Sequence, residues 1–416
     1  MKSKKVINDP VYGFLTVPSK LILKLVNHPY FQRLRRIRQL GLADYVYPGA
    51  LHTRFHHALG AMSLMGTTLD NLKAKGHKIS KKEYEAALIA ILLHDIGHGP
   101  FSHVLESTIL KGVHHEDMSI LLMNSLNEEF QGKLSLAIKI FTDQYERRFF
   151  HQLVSSQLDM DRLDYLQRDC FFTGVVEGNV GVKRILKMLD VVDDQIVVEE
   201  KGIYSIENFL TARRLMYWQV YLHKTTVSTE QMIVQLMERA RHLVSIGEMP
   251  TASPPLQLIL TESLELSDFQ ERPECLRAFA SLDDYDIWGA VKFWVYHPDP
   301  VLQPLSRMLM DRRLFRTHLG NEPVAEEQLH RIQEAVMMKM RLTEEESKYF
   351  FAHGHISNAG YSDAERINIK RKDGEIVDVA QASDLPNIQA LSKIVKKYFV
   401  AYPKGIGLGL QWGTNS

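Results

Sequence analysis

The sequence predicts a mostly α-helical fold with small β-hairpin appendages and a C-terminal α+β region. Long stretches repeat apolar residues three and four positions apart, the period of a helix buried along one face. Strand-type alternation is confined to three short windows, each near a Gly, Asp or Asn turn signal. No internal repeat or low-complexity tract argues for an array or a tail.

Taken in chain order, residues 5–17 read as two short extended runs around Asn8-Asp9-Pro10 and Gly13, a small hairpin. Apolar spacing from Ser19 predicts a helix ending at Gly41. Segment 53–74 opens on a Thr53 cap and carries Ala58, Leu59, Met62, Leu64, Met65 and Leu69, a second helix. Residues 81–93 turn apolar on nearly all sides, which makes them a central buried helix, and Gly97, Gly99 and Pro100 stop it. Helices are expected at 147–169 and 180–190, then a hairpin within 191–206 turning at Lys201-Gly202. One or two long helices fill 207–246, and the Pro-containing run 247–258 is the linker candidate. A helical block extends to about residue 347. A hairpin over 366–379 turns at Asp373-Gly374, with a helix at 386–399 behind it.

The 416 residues suffice for two or three cooperating units. With 45% hydrophobic and 24% charged residues the chain has the profile of a globular protein and not of a disordered one. Fifty Lys plus Arg balance fifty Asp plus Glu, so the basic excess of a duplex nucleic-acid binder is missing. Cys170 and Cys275 cannot form a disulfide framework. With no apolar signal core and no bilayer-length apolar run, a cytoplasmic protein without a membrane partner is expected.

Histidine carries the chemical signal. Nine of 18 histidines fall between His52 and His115, and neutral imidazole serves both as metal ligand and as proton carrier. The pair His94-Asp95 ends the most apolar helix, where polar groups are costly unless something satisfies them. A divalent metal would. His56 or His57 can supply a third ligand, and Asp159, Asp161 or Asp164 a fourth. Such an N/O set suits Mn, Fe, Zn or Ni rather than calcium, with Mg as an ion accompanying substrate phosphates. No GxSxG elbow or Walker-type lysine offers another chemistry.

The order H…HD…D, with the strings VINDP, YFQRLRRIRQLG, YPGALHTRFHHALG, LLHDIGHGPFSH, HHED and DMDRLDYLQRDC, resembles the HD-domain metal phosphohydrolases, in their deoxynucleoside-triphosphate triphosphohydrolase branch. The similarity runs from about residue 5 to 245 and fades beyond 250. It implies an HD-domain helical fold, with an N-terminal hairpin and helix at 1–45 and the phosphohydrolase domain at 46–246. A helical region at 247–347 and a hairpin-helix region at 348–416 would follow, the latter a candidate assembly surface. It implies His57, His94, Asp95 and Asp161 as metal ligands, and His98, His103, His115 and Glu116 as catalytic groups, Glu116 being the acidic partner of His115. Arg54, Arg162 and Arg213 would hold the triphosphate, while Gln39, Leu40, Tyr165, Asp169, Tyr221 and His223 would line the deoxynucleoside, with Tyr165 excluding a 2′-hydroxyl. Glu106 stands where the animal member has aspartate.

The resemblance further implies a dNTP substrate, a homo-oligomer (dimer or tetramer) and a nucleotide activator near Lys5–Asn8 and Gln32–Arg35, where Asn27 replaces the family's guanine-selecting aspartate. Arg33, Arg35, Arg36 and Arg38 read as a solvated or interface set, the feature that keeps single-stranded nucleic acid in view as a partner. Rival readings are an HD-domain nucleotidase or phosphodiesterase and a nucleotide-sensing protein.

Overall fold

The computed structural model, which describes residues 5–101, 106, 108, 110, 112–358, 366–385 and 395–406, is mostly helical with three small sheets. The helices Arg54–Ala74 and Lys81–Leu93 pack on one another, and Arg54–Ala74 also packs on Met160–Thr173. Ala86 to Leu93 are buried without interruption, so the central helix has no solvent face in its second half. A capping box between Ser80 and Glu83 starts it. Among the described residues no helix is long and apolar enough to cross a membrane.

The first hairpin pairs β1 (Val6–Asp9) with β2 (Gly13–Thr16). The helix expected over 19–41 is broken: Lys20–Asn27 stops at His28, Pro29–Gln32 adds one turn, and Arg33–Arg36 is a 3-10 turn. Pro29 explains the break, because proline pushes the residue before it out of the helical region, and His28 sits at φ −68°, ψ 141°. The helix expected over 147–169 is likewise two, Phe149–Val154 and Met160–Thr173, separated where Asp159 caps the second by accepting from the Arg162 amide at 2.7 Å.

The central hairpin turns earlier than expected. β3 (Leu189–Val192) and β4 (Gln195–Glu199) join through Asp193-Asp194, both at positive φ (50° and 55°), whereas Lys201 and Gly202 lead into the Ile203–Met216 helix. Two consecutive left-handed residues match the strand twist, and aspartate tolerates that conformation better than most residues. Residues 247–258 are no free linker: Trp294 Nε1 donates to the Thr251 carbonyl at 2.9 Å, Leu256 is buried, and a helix begins at Pro254.

The helical block is interrupted by β5 (Phe315–Gly320), which pairs antiparallel with β9 (Val395–Pro403), as does β6 (Ala352–Asn358). Residues 395–399 of the expected last helix are therefore strand, and residues 386–394 lie outside the described residues. The hairpin of β7 (Asn368–Lys370) and β8 (Ile376–Asp378) joins β3 and β4 through a parallel pairing of β4 with β7. Strands β9, β4 and β7 thus sit inside their sheets and join segments far apart in sequence.

Candidate active site

Three helices converge on one point. His94 is the C-cap of the Lys81–Leu93 helix, and its Nδ1 donates to the Ile91 carbonyl at 2.6 Å, leaving Nε2 as the lone-pair nitrogen. His57, in the first turn of Arg54–Ala74, is fully buried. Its Nδ1 lies 2.8 Å from Asp164 Oδ2, so it too presents Nε2. Asp161 enters from the first turn of Met160–Thr173. The two Nε2 atoms are 3.3 Å apart, and Asp161 Oδ1 lies 3.1 Å from His57 and 3.5 Å from His94. Asp95 adds its carboxylate, Oδ2 at 3.7 Å from His57 Nε2 and Oδ1 at 3.3 Å from His94 Nε2.

The candidates left open by the sequence take different roles. His56 Nδ1 accepts from the Thr53 amide at 3.3 Å and caps its own helix. Asp159 caps the next helix, and Asp164 buttresses His57. His57, His94 and Asp161 form a group that could hold a metal ion. Electrostatics fits a cation there: burial alone would lower the His57 imidazole, but Asp161, Asp164 and Asp95 outweigh it and raise it to about 10. Burial opposes ionisation of Asp95 as well, yet His94, His98 and Arg54 hold it well below the usual carboxylate range. Two imidazole lone pairs and two carboxylates make an N/O donor set for a divalent ion.

Beside this cluster His98 Nε2 sits 3.2 Å from Asp95 Oδ1, and its ring stacks on His115. Gly97 makes that approach feasible: a Cβ there would stand 2.2 Å from the His115 carbonyl oxygen and the Ser119 nitrogen. Burial and Arg54 drive His98 well below its ordinary value. Burial also disfavours charge on His115, but Glu106, 3.2 Å away, reverses the direction and raises it. The carboxylate facing His115 is therefore Glu106 and not the expected Glu116, which is exposed because it follows His115 on the outer face of the His115–Glu129 helix. His103 lies outside the described residues.

A cavity of about 460 Å³ opens from the cluster, lined by Asp95, Asp161, His98, His115, Arg54 and Arg162, then by Gln39, Leu40, Tyr165, Asp169 and Tyr221. Arg54 Nη1 donates to Asp95 Oδ2 at 2.6 Å, and Arg162 Nε to the Ser156 carbonyl at 2.6 Å. Asp169 is clamped between His52 Nε2 and the Tyr221 hydroxyl, each at 2.7 Å. The edge of Tyr165 meets Tyr221 at 6.0 Å between centroids. Among the described residues, Gln39 Oε1 is buried without a hydrogen-bond partner.

Arg213 and His223 do not line this cavity. Arg213 Nη1 is taken by Gln157 at 2.7 Å, and His223 caps the Lys224–Ser245 helix through the Thr225 amide. Sequence reasoning missed Arg38, Phe101, Tyr217, Thr226 and Glu230, which do line it, and the brace His52. Arg38 and His52 carry a signal in the sequence, Arg38 within the arginine run read as a solvated or interface set and His52 within the histidine cluster. The reading of a solvated set holds for Arg35 and Arg36, which are exposed, and is corrected for Arg33 and Arg38. Arg33 is fully buried, its guanidinium held by the Ile96, Leu282 and Phe279 carbonyls; Arg36 pairs with Asp283, Arg38 pairs with Asp44, and Arg35 lies over the Phe55 ring. With Arg33 buried and Arg36 and Arg38 paired to carboxylates, the run is not a stripe of free cations of the kind that binds single strands.

Comparison with known proteins bears on this arrangement. The HD domain model matches residues 54–169, and the HD associated region model matches residues 180–248. The uncharacterized protein YwfO of Bacillus subtilis is 35% identical over 324 residues, covering 76% of this chain and 72% of that protein. The SAMHD1 homolog of Dictyostelium discoideum, a deoxynucleoside triphosphate triphosphohydrolase, is 33% identical over 267 residues, covering 59% of this chain and 51% of that protein. This chain thus spans about half the length of that triphosphohydrolase. The crystal structure of a phosphohydrolase from Bacteroides thetaiotaomicron superposes with a TM-score of 0.94 at 52% identity, covering 97% of this chain and all of that one.

Proposed function

Because the chain belongs to the HD-domain phosphohydrolase family, we propose that it hydrolyses deoxynucleoside triphosphates to deoxynucleoside and inorganic triphosphate. The observation that carries this reading is a cavity that adjoins an N/O metal-type cluster, with Asp95, Asp161 and arginines at one part of its lining and the clamped Asp169, Tyr165 and Gln39 at another.

In this reading His57, His94, Asp95 and Asp161 hold a divalent ion, which when bound supplies the Lewis-acid charge and the activated water that phosphoester hydrolysis calls for. Arg54 and Arg162 bind phosphate oxygens and offset charge developing on the α-phosphoryl group, and Arg38 is a third cation in the same lining. His115, kept protonated by Glu106, delivers a proton to the leaving 5′-oxygen, while neutral His98 orients its ring. Asp169 and Gln39 hydrogen-bond the 3′-hydroxyl, and the Tyr165 ring closes the space a 2′-hydroxyl would need. Arg213 and His223 support the walls. A homo-oligomer and activation by a second nucleotide complete the reading by resemblance; rates for one dNTP with and without GTP test the latter, and with Asn27 in place of aspartate no strict GTP dependence is expected.

The deciding experiment is product analysis. Each dNTP and NTP is incubated with Mn, Fe, Zn, Ni or Mg, and released phosphate, pyrophosphate and triphosphate are separated. Intact triphosphate from dNTPs supports the reading. Release of phosphate from monophosphates, or cleavage of cyclic or oligonucleotides with no triphosphate formed, would replace it with the nucleotidase or phosphodiesterase alternative.

A further inference from the structure

We propose that the N-terminal hairpin is a working part of the metal centre, with Asp9 positioning His57 through Arg168 and Asp164. This rests on the reading of His57, His94, Asp95 and Asp161 as that centre. The chain of contacts is continuous. Asp9 ends β1, and its Oδ1 accepts from the Val11 and Tyr12 amides at 3.0 and 2.9 Å, which fixes the carboxylate in the turn. Its Oδ2 accepts from Arg168 Nη1 at 2.8 Å. The Arg168 guanidinium then forks onto Asp164, Nε to Oδ2 at 2.9 Å and Nη2 to Oδ1 at 3.0 Å. Asp164 Oδ2 finally takes the His57 Nδ1 at 2.8 Å. Asp164, Arg168 and His57 are fully buried, and Asp9 is 4% exposed.

Two further observations separate this from an incidental ion pair. Gly60, one turn beyond His57, has no room for a side chain: a Cβ there would stand 2.0 Å from Asp164 Oδ1 and 2.2 Å from Arg168 Nη2. The helix carrying His57 is therefore shaped around this pair. The Tyr12 ring of the same hairpin also faces the Arg168 guanidinium, 5.5 Å from its centroid.

The physical consequence lies in how Arg168 divides its charge. With two carboxylates to serve, Arg168 leaves Asp164 enough negative charge to hold the His57 Nδ1 proton and strengthen Nε2 as a donor. Without the Asp9 charge, the buried cation draws on Asp164 alone, and the His57 imidazole is held less firmly and is a weaker ligand. Sequence neighbours cannot do this for His57; the hairpin residue that does is 48 positions away.

The test uses the full chain and metal affinity as its readout. Mn²⁺ binding is titrated against a competing chelator for wild type, Asp9→Asn, Arg168→Lys and Leu15→Ala, alongside circular dichroism and Tm. Asn at position 9 keeps the acceptor for the turn amides and loses only the charge, so the hairpin persists. Asp9→Asn and Arg168→Lys should each bind Mn²⁺ about tenfold more weakly, within the range for loss of a group behind a metal ligand. Leu15→Ala, which removes a buried hairpin side chain outside the chain of ion pairs, should lower Tm and leave affinity unchanged. Wild-type affinity in folded Asp9→Asn and Arg168→Lys overturns the inference, as does an equal loss in Leu15→Ala. A wild type that binds no divalent metal instead removes the reading of the metal centre on which it stands.

Discussion

His98 and His115 stack face to face, their ring centroids 3.9 Å apart and their planes 15° from parallel. Two cations would not share that position, and their surroundings push them apart: His98 down by burial and Arg54, His115 up through Glu106. The surroundings thus favour the neutral ring at His98 and the protonated ring at His115.

Glu106→Gln should therefore lower kcat by one to two decades, because His115 loses the carboxylate that keeps it protonated. Glu116→Gln, on an exposed side chain, should stay within a factor of about two of wild type. Steady-state rates on one dNTP check both; equal losses would restore Glu116 as the acidic partner.

Replacing His94 and Asp95 together by Ala should abolish bound metal and turnover while preserving helical content. Both sit just past the buried helix, not within its apolar run, so their loss empties a polar site and not the core. Metal analysis beside far-ultraviolet dichroism reads the result, and retained metal with normal hydrolysis would sink the assignment.

Tyr165→Ala should narrow the preference for dATP over ATP by one to two decades, about 1–3 kcal/mol, if the ring walls off the 2′ position. Asp169→Ala should weaken both substrates together, since both carry a 3′-hydroxyl, and should free His52 and Tyr221 from their clamp. The ratios of kcat/KM decide, and an unchanged ratio in Tyr165→Ala makes the tyrosine a core residue only.

Glu230 lines the cavity with its carboxyl pushed up to about 7 by burial. The folded state then binds a proton that the unfolded chain has released above about 4.5, so this group costs stability as pH rises from about 5 to 8. Glu230→Gln should raise stability by about 1–3 kcal/mol at pH 8 and by little at pH 4. Denaturant unfolding at the two pH values measures it, and an equal effect at both would mean that the carboxyl is not the cause.

The sequence alone was sufficient for much of what is written in local periodicity and spacing. The Arg54–Ala74 and Lys81–Leu93 helices, the first hairpin and the Asp373-Gly374 turn were legible, because caps, apolar stripes and turn residues act within a few positions. So was the HD-type pattern, since His94 and Asp95 stand where an apolar run cannot keep them without a partner. Where Pro29 and Asp159 overrode apolar spacing, the breakers were visible but lost to the stronger periodic signal.

Only the tertiary structure could decide which polar groups meet. Arg33 looks like a solvated cation in the chain, yet it is buried against carbonyls that include Leu282, and the exposed Arg36 pairs with Asp283, both some 250 residues away. Glu106, nine positions before His115, takes the place expected of the adjacent Glu116, because packing in space and not adjacency in the chain decides which carboxylate a ring can touch. Strand β9, the parallel joint of β4 with β7, and the link from Asp9 to His57 have the same origin. Hydrogen bonds and ion pairs act over about 3 Å of space, and no local pattern encodes which distant partner will fill it.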